Sequence, residues 1–244
     1  MTSLKLISVL TLSALFFFSS CERHSMCIKG NNKSRTRTIE TNDFNKVELD
    51  GSFNLTITQG DDLEVKVTGD ENIISDFDAN VKNNTCKLSL KDGCYKNYDL
   101  SVAITMPHIE AAFLDGSGNI RINDFYNQSS FYGEITGSGN MNLHVIEGVS
   151  TLDFRIDGSG NIKCNSLVTE VENSEVIING SGDYYGFPIE AKNVYARISG
   201  SGNVRVTALN NLEAIIDGSG DIKYKGYPSL TQKITGSGDI THVD

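Results

Sequence analysis

The chain has 244 residues and carries 31 Asp and Glu against 21 Lys and Arg, a formal charge of −10. A nucleic-acid partner needs a basic footprint, so this balance argues against one. It suits instead a solvated surface in the cell envelope.

The first residues give an address. Lys5 is the only charge ahead of a 13-residue apolar stretch, Leu6 to Phe18. A bilayer span needs about 20 apolar residues, so this run fits the core of a signal peptide over residues 1–20. It ends LFFFSSC, and the small Ser19 and Ser20 before Cys21 resemble a bacterial lipobox, although Phe18 replaces the usual aliphatic residue. The expectation is a Cys21 acylated at its thiol and anchored in the envelope, at the outer membrane, by several acyl chains. Four further cysteines remain: Cys27, Cys86, Cys94 and Cys164. An exported chain can form disulfides. Cys86 and Cys94 flank a Lys91-Asp92-Gly93 turn and are expected to bridge a hairpin. No cysteine and histidine spacing suggests zinc. Residues 21–42 are polar with little periodicity and are expected to be a tether.

Residues 43–110 alternate apolar and polar as strands do. Val47 and Leu49 open the pattern, Phe53, Leu55 and Ile57 follow, and Leu63, Val65 and Val67 come after a turn at Gln59-Gly60-Asp61. Leu88, Leu90, Leu100, Val102, Ile104 and Met106 continue it. One helical turn is expected within 70–78. LDGSFN at 49–54 looks like a degenerate copy of LDGSGN at 114–119.

From residue 111 the chain is a repeat. GSG followed by Asn or Asp begins at Gly116, Gly137, Gly158, Gly180, Gly200, Gly218 and Gly236, at spacings of 18 to 22 residues. Around each copy one parity is apolar, as in Phe154, Ile156, Ile162 and Cys164. That describes a strand with one buried face, a tight corner and a second strand. A unit this short cannot bury its apolar face alone, but stacked units can. The expected fold is an all-β, single-domain, right-handed parallel β-helix, residues 111–244 forming seven coils and residues 43–110 an N-terminal β-rich cap. Glycine supplies positive φ and close approach at the corner. The residues in fourth place, Asn119, Asn140, Asn161, Asp183, Asn203, Asp221 and Asp239, can form a hydrogen-bonded ladder.

Two sharper uses of the glycines fare worse. A phosphate loop needs a Gly-rich turn that opens a helix, whereas a strand follows every copy. Calcium β-rolls use a nine-residue repeat with a regular aspartate, and four of these seven fourth positions are neutral Asn. A site near Asp217, Asp221 and Asp239 is the weaker reading against a solvated acidic corner. Stacking is supported by Asp115, Thr136, Asp157, Asn179, Ser199, Asp217 and Thr235, where no two acids adjoin. The ladder Arg121, Asn142, Lys163, Tyr185, Arg205, Lys223 and Thr241 obeys that rule less well.

The stretch FNKVELDGSFNLTITQGDDLEVKVTGDENI at 44–73, together with the repeated I-x-GSG-[ND]-[IV], resembles the head GIN domain family of auto-transporter adhesins. The resemblance covers about residues 44–244. It implies an all-β, β-helical domain on bacterial envelope lipoproteins with no established activity. The chain departs from a true autotransporter, because Asp244 follows the last repeat with no translocating barrel.

A glycan-cleaving β-helix would need clustered carboxylates or a base beside a basic residue. Here the acids are spread through the repeat, and His24, His108, His144 and His242 are scattered. No catalytic group, metal site or cofactor is expected, which leaves a binding or adhesion module, or a purely structural envelope protein. Two coils carry a Gly-aromatic-Pro turn, Gly186-Phe187-Pro188 and Gly226-Tyr227-Pro228. With outward Tyr185, Phe187 and Tyr227 could form a binding edge for a glycan or protein, the bland alternative being that Phe187 and Tyr227 fold over the core. The last coil presents an open edge, where self-association is expected.

Overall fold

The computed structural model describes residues 27–166 and 168–244. The expected signal segment and Cys21 lie outside the described residues. The fold is a β-solenoid of about six turns in one domain. No helix among the described residues is long and apolar enough to cross a membrane.

Each coil places one strand before the GSG corner and one after it. The strands before the corner stack in parallel and in register, so that Gly51, Gly116, Gly137, Gly158, Gly180, Gly200, Gly218 and Gly236 lie in one column. The strands after it stack likewise, from Asn54–Gln59 through Asn119–Ile122 to Ile240–His242. The apolar parity seen in the sequence is the buried one: Leu114, Ile135, Ile156, Ile178, Ile198 and Ile216 form one inner column, each 1% exposed or less. Early coils connect through a loop that buries Phe125 and Ile146. Later coils are shorter, and Tyr184–Gly200 and Val204–Gly218 run as long bent strands with register shifts between Gly186 and Glu190.

The boundary expected at 110/111 is not structural. Lys46–Gly51 and Asn54–Gln59 already form a coil in register with the first GSG copy. LDGSFN is therefore a true corner. Phe53 can replace the second glycine because no earlier corner lies beneath it; its ring, 3% exposed, packs edge-on to Phe77 at 5.9 Å. The chain then leaves the stack to build the cap. Thr85–Leu90 and Leu100–Met106 add in parallel beneath this first coil. Phe77–Lys82 and Glu64–Asp70 close the two sheets with antiparallel pairs. The expected helical turn is Glu71–Ile74, whose Ile73 and Ile74 are buried in the end of the core.

Two expectations from the N-terminal region need correcting. Residues 21–42 are not a tether throughout: Ser34–Ile39 pairs antiparallel with Glu64–Asp70, and Ile28–Lys29 pairs with Tyr95–Lys96. The Cys86–Cys94 bridge does not form. Cys86 sits on an inward position of Thr85–Leu90, opposite Val47 and Val81, fully buried and free, and burial pushes its thiol up to about 12. Cys94 lies beyond the turn and bonds Cys27, the two Cα atoms 4.5 Å apart. The bridge therefore staples the N-terminal strand to the cap rather than closing a hairpin. Cys164 is also free, and burial pushes it up to about 12.

Candidate functional site

The corners show what the glycines do. From Gly51 to Gly200 each first-Gly carbonyl accepts the Ser and Gly N–H groups of the next corner; Ser159 and Gly160 both donate to Gly137, at 2.9 and 3.1 Å. The amides that a phosphate would need are thus spent inside the stack. The two glycines differ in role. Gly158 has a φ of +140°, whereas Gly160 does not, so positive φ explains only the first. Both need close approach: a Cβ on Gly160 would lie 2.2 Å from the Gly139 carbonyl oxygen.

The fourth-position ladder forms. Asn119 donates to Asn54 at 2.9 Å, Asn140 to Asn119 at 3.1 Å and Asn161 to Asn140 at 3.0 Å. Where the residue is Asp, a backbone N–H continues the run: Asp183 N–H donates to Asn161 at 3.0 Å and Asp239 N–H to Asp221 at 3.0 Å. Burial pushes the Asp183 carboxyl up, but hydrogen bonds from Tyr185 and Asn203 and the Arg205 charge outweigh it and hold the group below the usual carboxylate range. Asp217 lies on a different ladder from Asp221 and Asp239 and pairs with Arg197 at 3.1 Å. Among the described residues no three His, Cys, Asp or Glu side chains are grouped to hold a metal ion.

The outward ladders read from the sequence are the observed ones. Asp115 to Thr235 run in order up one face. The structure adds Asp50 beneath Asp115, which does put two acids side by side; Lys87 compensates by reaching Asp50 at 2.7 Å and Glu48 at 2.9 Å. A second amide rail, legible only in hindsight, joins Asn173, Asn193 and Asn211, at 3.2 and 2.8 Å. Each of these residues stands seven positions before its corner glycine. The rail lines an open hollow of about 490 Å³ beside Tyr195 and Glu213. A hollow of about 570 Å³ lies on the cap, where Glu40, Asp61, Asp62 and Glu64 make it acidic.

The other outward face carries Arg121, Asn142, Lys163, Tyr185, Arg205, Lys223 and Thr241 in consecutive rungs. The three aromatics expected on the binding edge are placed unequally. Tyr227 is 89% exposed and so is no lid over the core; its ring lies 5.2 Å from His242. Phe187 is half-buried, with the Lys225 ammonium 5.5 Å from its ring centre. Tyr185 is half-buried, donates its hydroxyl to Asp183 at 2.8 Å and carries the Arg205 guanidinium 4.6 Å over its ring. Each ring thus has its own partner, and the face interleaves aromatics with cations. His144 stands exposed just past the strand Asn140–Leu143, against the Asp124 carboxylate.

A stack of parallel coils with hydrogen-bonded glycine corners, a mainly apolar interior and polar rungs outside defines the class: a β-solenoid that presents ladders of side chains. The chain belongs to the family described as "Putative auto-transporter adhesin, head GIN domain", which it matches over residues 43–228. It is similar to the crystal structure of a "putative adhesin" from Bacteroides fragilis, with a TM-score of 0.76 and 24% identity over 88% of this chain and 100% of that one. A "Putative lipid binding protein" from Parabacteroides distasonis superposes with a TM-score of 0.74, at 24% identity over 89% and 99% of the two chains. A "putative adhesin" from Parabacteroides merdae gives 0.68, at 23% identity over 89% and 99%. At these identities the likeness is one of fold. No curated protein matches the chain.

Proposed function

We propose that this protein is a non-catalytic binding or adhesion module, held at the envelope by a lipid on Cys21, that displays a ligand surface on a rigid solenoid. The observation that carries the reading is the division of labour between the two sides of each strand. The inward parity and the corner amides are consumed by stacking, while the outward rungs are held in fixed register. Such rungs place polar and aromatic groups at about 4.8 Å intervals with little freedom left to lose on binding. Membership of an adhesin-named family agrees with this role. Along the rungs acids and histidines are spread rather than gathered, and the acidic hollow of Glu40, Asp61, Asp62 and Glu64 is lined by no histidine, which gives no support to a hydrolase or lyase.

The ligand surface is assigned to the face that carries Tyr185, Phe187 and Tyr227. A glycan array probed with the mature domain tests the reading. Binding that the double change Tyr185→Ala and Tyr227→Ala abolishes, with melting temperature held within a few degrees, supports both the role and the face. A signal unchanged in the double variant removes the face, and an array with no signal at all removes the glycan-binding role.

A further inference from the structure

The outward face beyond the corner carries a run of cations. Several cations elsewhere sit beside acids: Arg155 pairs with Asp157 at 2.7 Å, Arg197 with Asp217 at 3.1 Å, and Lys192 with Glu172 at 2.7 Å. Arg121, Lys163, Arg205, Lys223 and Lys225 all project from the post-corner strands, and among the described residues none of the five makes an ion pair. Arg205 and Lys223 are cross-strand neighbours, and Lys225 stands one rung over from Thr207. Like charges directly opposite each other destabilise a sheet. The chain bears −10 overall, yet these five cations gather on one strip.

The rings on the strip hold the cations in place. Arg205 lies over Tyr185, and its Nη1 is buried without a hydrogen-bond acceptor. Lys225 lies beside Phe187. These rings are partly occupied and offer little open surface for sugar stacking. The acids Asp183, Asp221 and Asp239 run along the neighbouring ladder; Asp183 has both oxygens engaged, by Asn203 and by the Tyr185 hydroxyl, while Asp221 has one taken up by the Asp239 N–H. A surface of fixed cations alternating with hydrogen-bond acceptors fits a ligand that carries both anionic groups and hydroxyl donors. It suits a nucleic-acid backbone poorly, because that backbone is anionic at every residue and offers the carboxylates no regular donor.

Building on the binding-module reading above, we propose that Lys163, Arg205, Lys223 and Lys225 form a site for an acidic glycan, with Tyr185 and Phe187 as positioning residues for the cations. The test uses the mature domain and three immobilised probes: an oligogalacturonate hexamer, a sulfated heparan hexamer and the methyl-esterified oligogalacturonate, which keeps the backbone and loses the charge. Binding to at least one acidic probe about tenfold tighter than to the ester, weakening as salt rises, is expected. The triple change Lys163→Gln, Arg205→Gln and Lys223→Gln should lose about tenfold in that affinity while circular dichroism and melting stay unchanged. Should the triple variant melt early, Lys223→Gln with Lys225→Gln, both nearer the end of the stack, gives the same reading with less risk to the fold.

Equal binding of the ester and the acidic probes overturns the charge proposal and leaves the binding module standing. Full acidic-probe affinity in a folded triple variant also overturns it. Oligo-dT binding as tightly as the acidic probes overturns it in favour of a general polyanion surface. No binding to any of the three probes overturns it, and the glycan array then decides separately whether the module binds neutral sugars.

Discussion

Gly160 offers the sharpest test of the stacked corner. A Cβ there would meet the Gly139 carbonyl oxygen at 2.2 Å and the Ile135 Cγ2 methyl at 2.8 Å, both on the coil below. Neither is the free end of a flexible chain, so Gly160→Val must push the coils apart. That movement weakens three backbone hydrogen bonds, those from Ser159 and Gly160 to Gly137 and from Asn161 to Gly139, and the 3.0 Å amide bond between Asn161 and Asn140. Taking about 1 kcal/mol net for each of the four bonds and about 1–3 kcal/mol for overpacking gives roughly 5–7 kcal/mol. For a domain of this size that is a fall in melting temperature of roughly 10–28 °C. Ser159 points into solvent, and Ser159→Val should stay within about 0.5 kcal/mol of the parent. Thermal unfolding followed by circular dichroism compares the two. Equal melting temperatures would falsify the close-approach argument.

Non-reducing peptide mapping should recover a Cys27–Cys94 cross-link in the parent and in Cys86→Ser alike, and Cys27→Ser should cost about 2–4 kcal/mol because the bridge closes a long loop. Asp183 is held below the usual carboxylate range, so its contribution is fully present above the unfolded-state value and lost as pH falls through the folded one. Asp183→Asn should therefore keep the ladder and flatten the acid side of a melting-temperature profile, and an unchanged profile would remove that role. Cys21→Ala should move the protein from the membrane fraction to the soluble one; retention on membranes after a high-salt wash would defeat the lipid anchor. Among the described residues the strand Ser229–Gly236 pairs only with Val204–Gly218, and its inward-facing Leu230 and Ile234 are 36% and 41% exposed. A second copy is expected to pair there, so sedimentation should show dimer at high concentration and Ile234→Lys should return it to monomer; a parent that stays monomeric counts against the pairing.

Much of this was readable in the sequence, for a physical reason. A solenoid repeats its joint, so a period of 18 to 22 residues and a strict apolar parity are enough to set the register, down to the order of the rungs. What could not be read were features without such a signal. Ser34–Ile39 is exposed along most of its length, since it covers an edge rather than a core, and so it lacks the apolar alternation that marks a strand. Cys27 lies just ahead of that stretch, which hid the true partner of Cys94. Gly51 and Phe53 were visible as a copy of the repeat, but not the detour of 64–106 beneath it, because nothing local in those strands says which edge they join. At the candidate site, parity put Tyr185 outside correctly. That Arg205 would cover its ring follows only from the neighbouring coil.

The uniform corner also bears on how such a protein can change its size. Gly180 and Gly200 offer the same carbonyl to the coil above and take the same column below, so either could stand in for the other. Because the corners share one geometry, a duplication or deletion that runs from one corner to another would add or remove whole coils with the glycine column intact. Coil number is then a quantity that evolution can vary in single steps, with the cap fixed at one end, while the interior and the order of the rungs stay continuous.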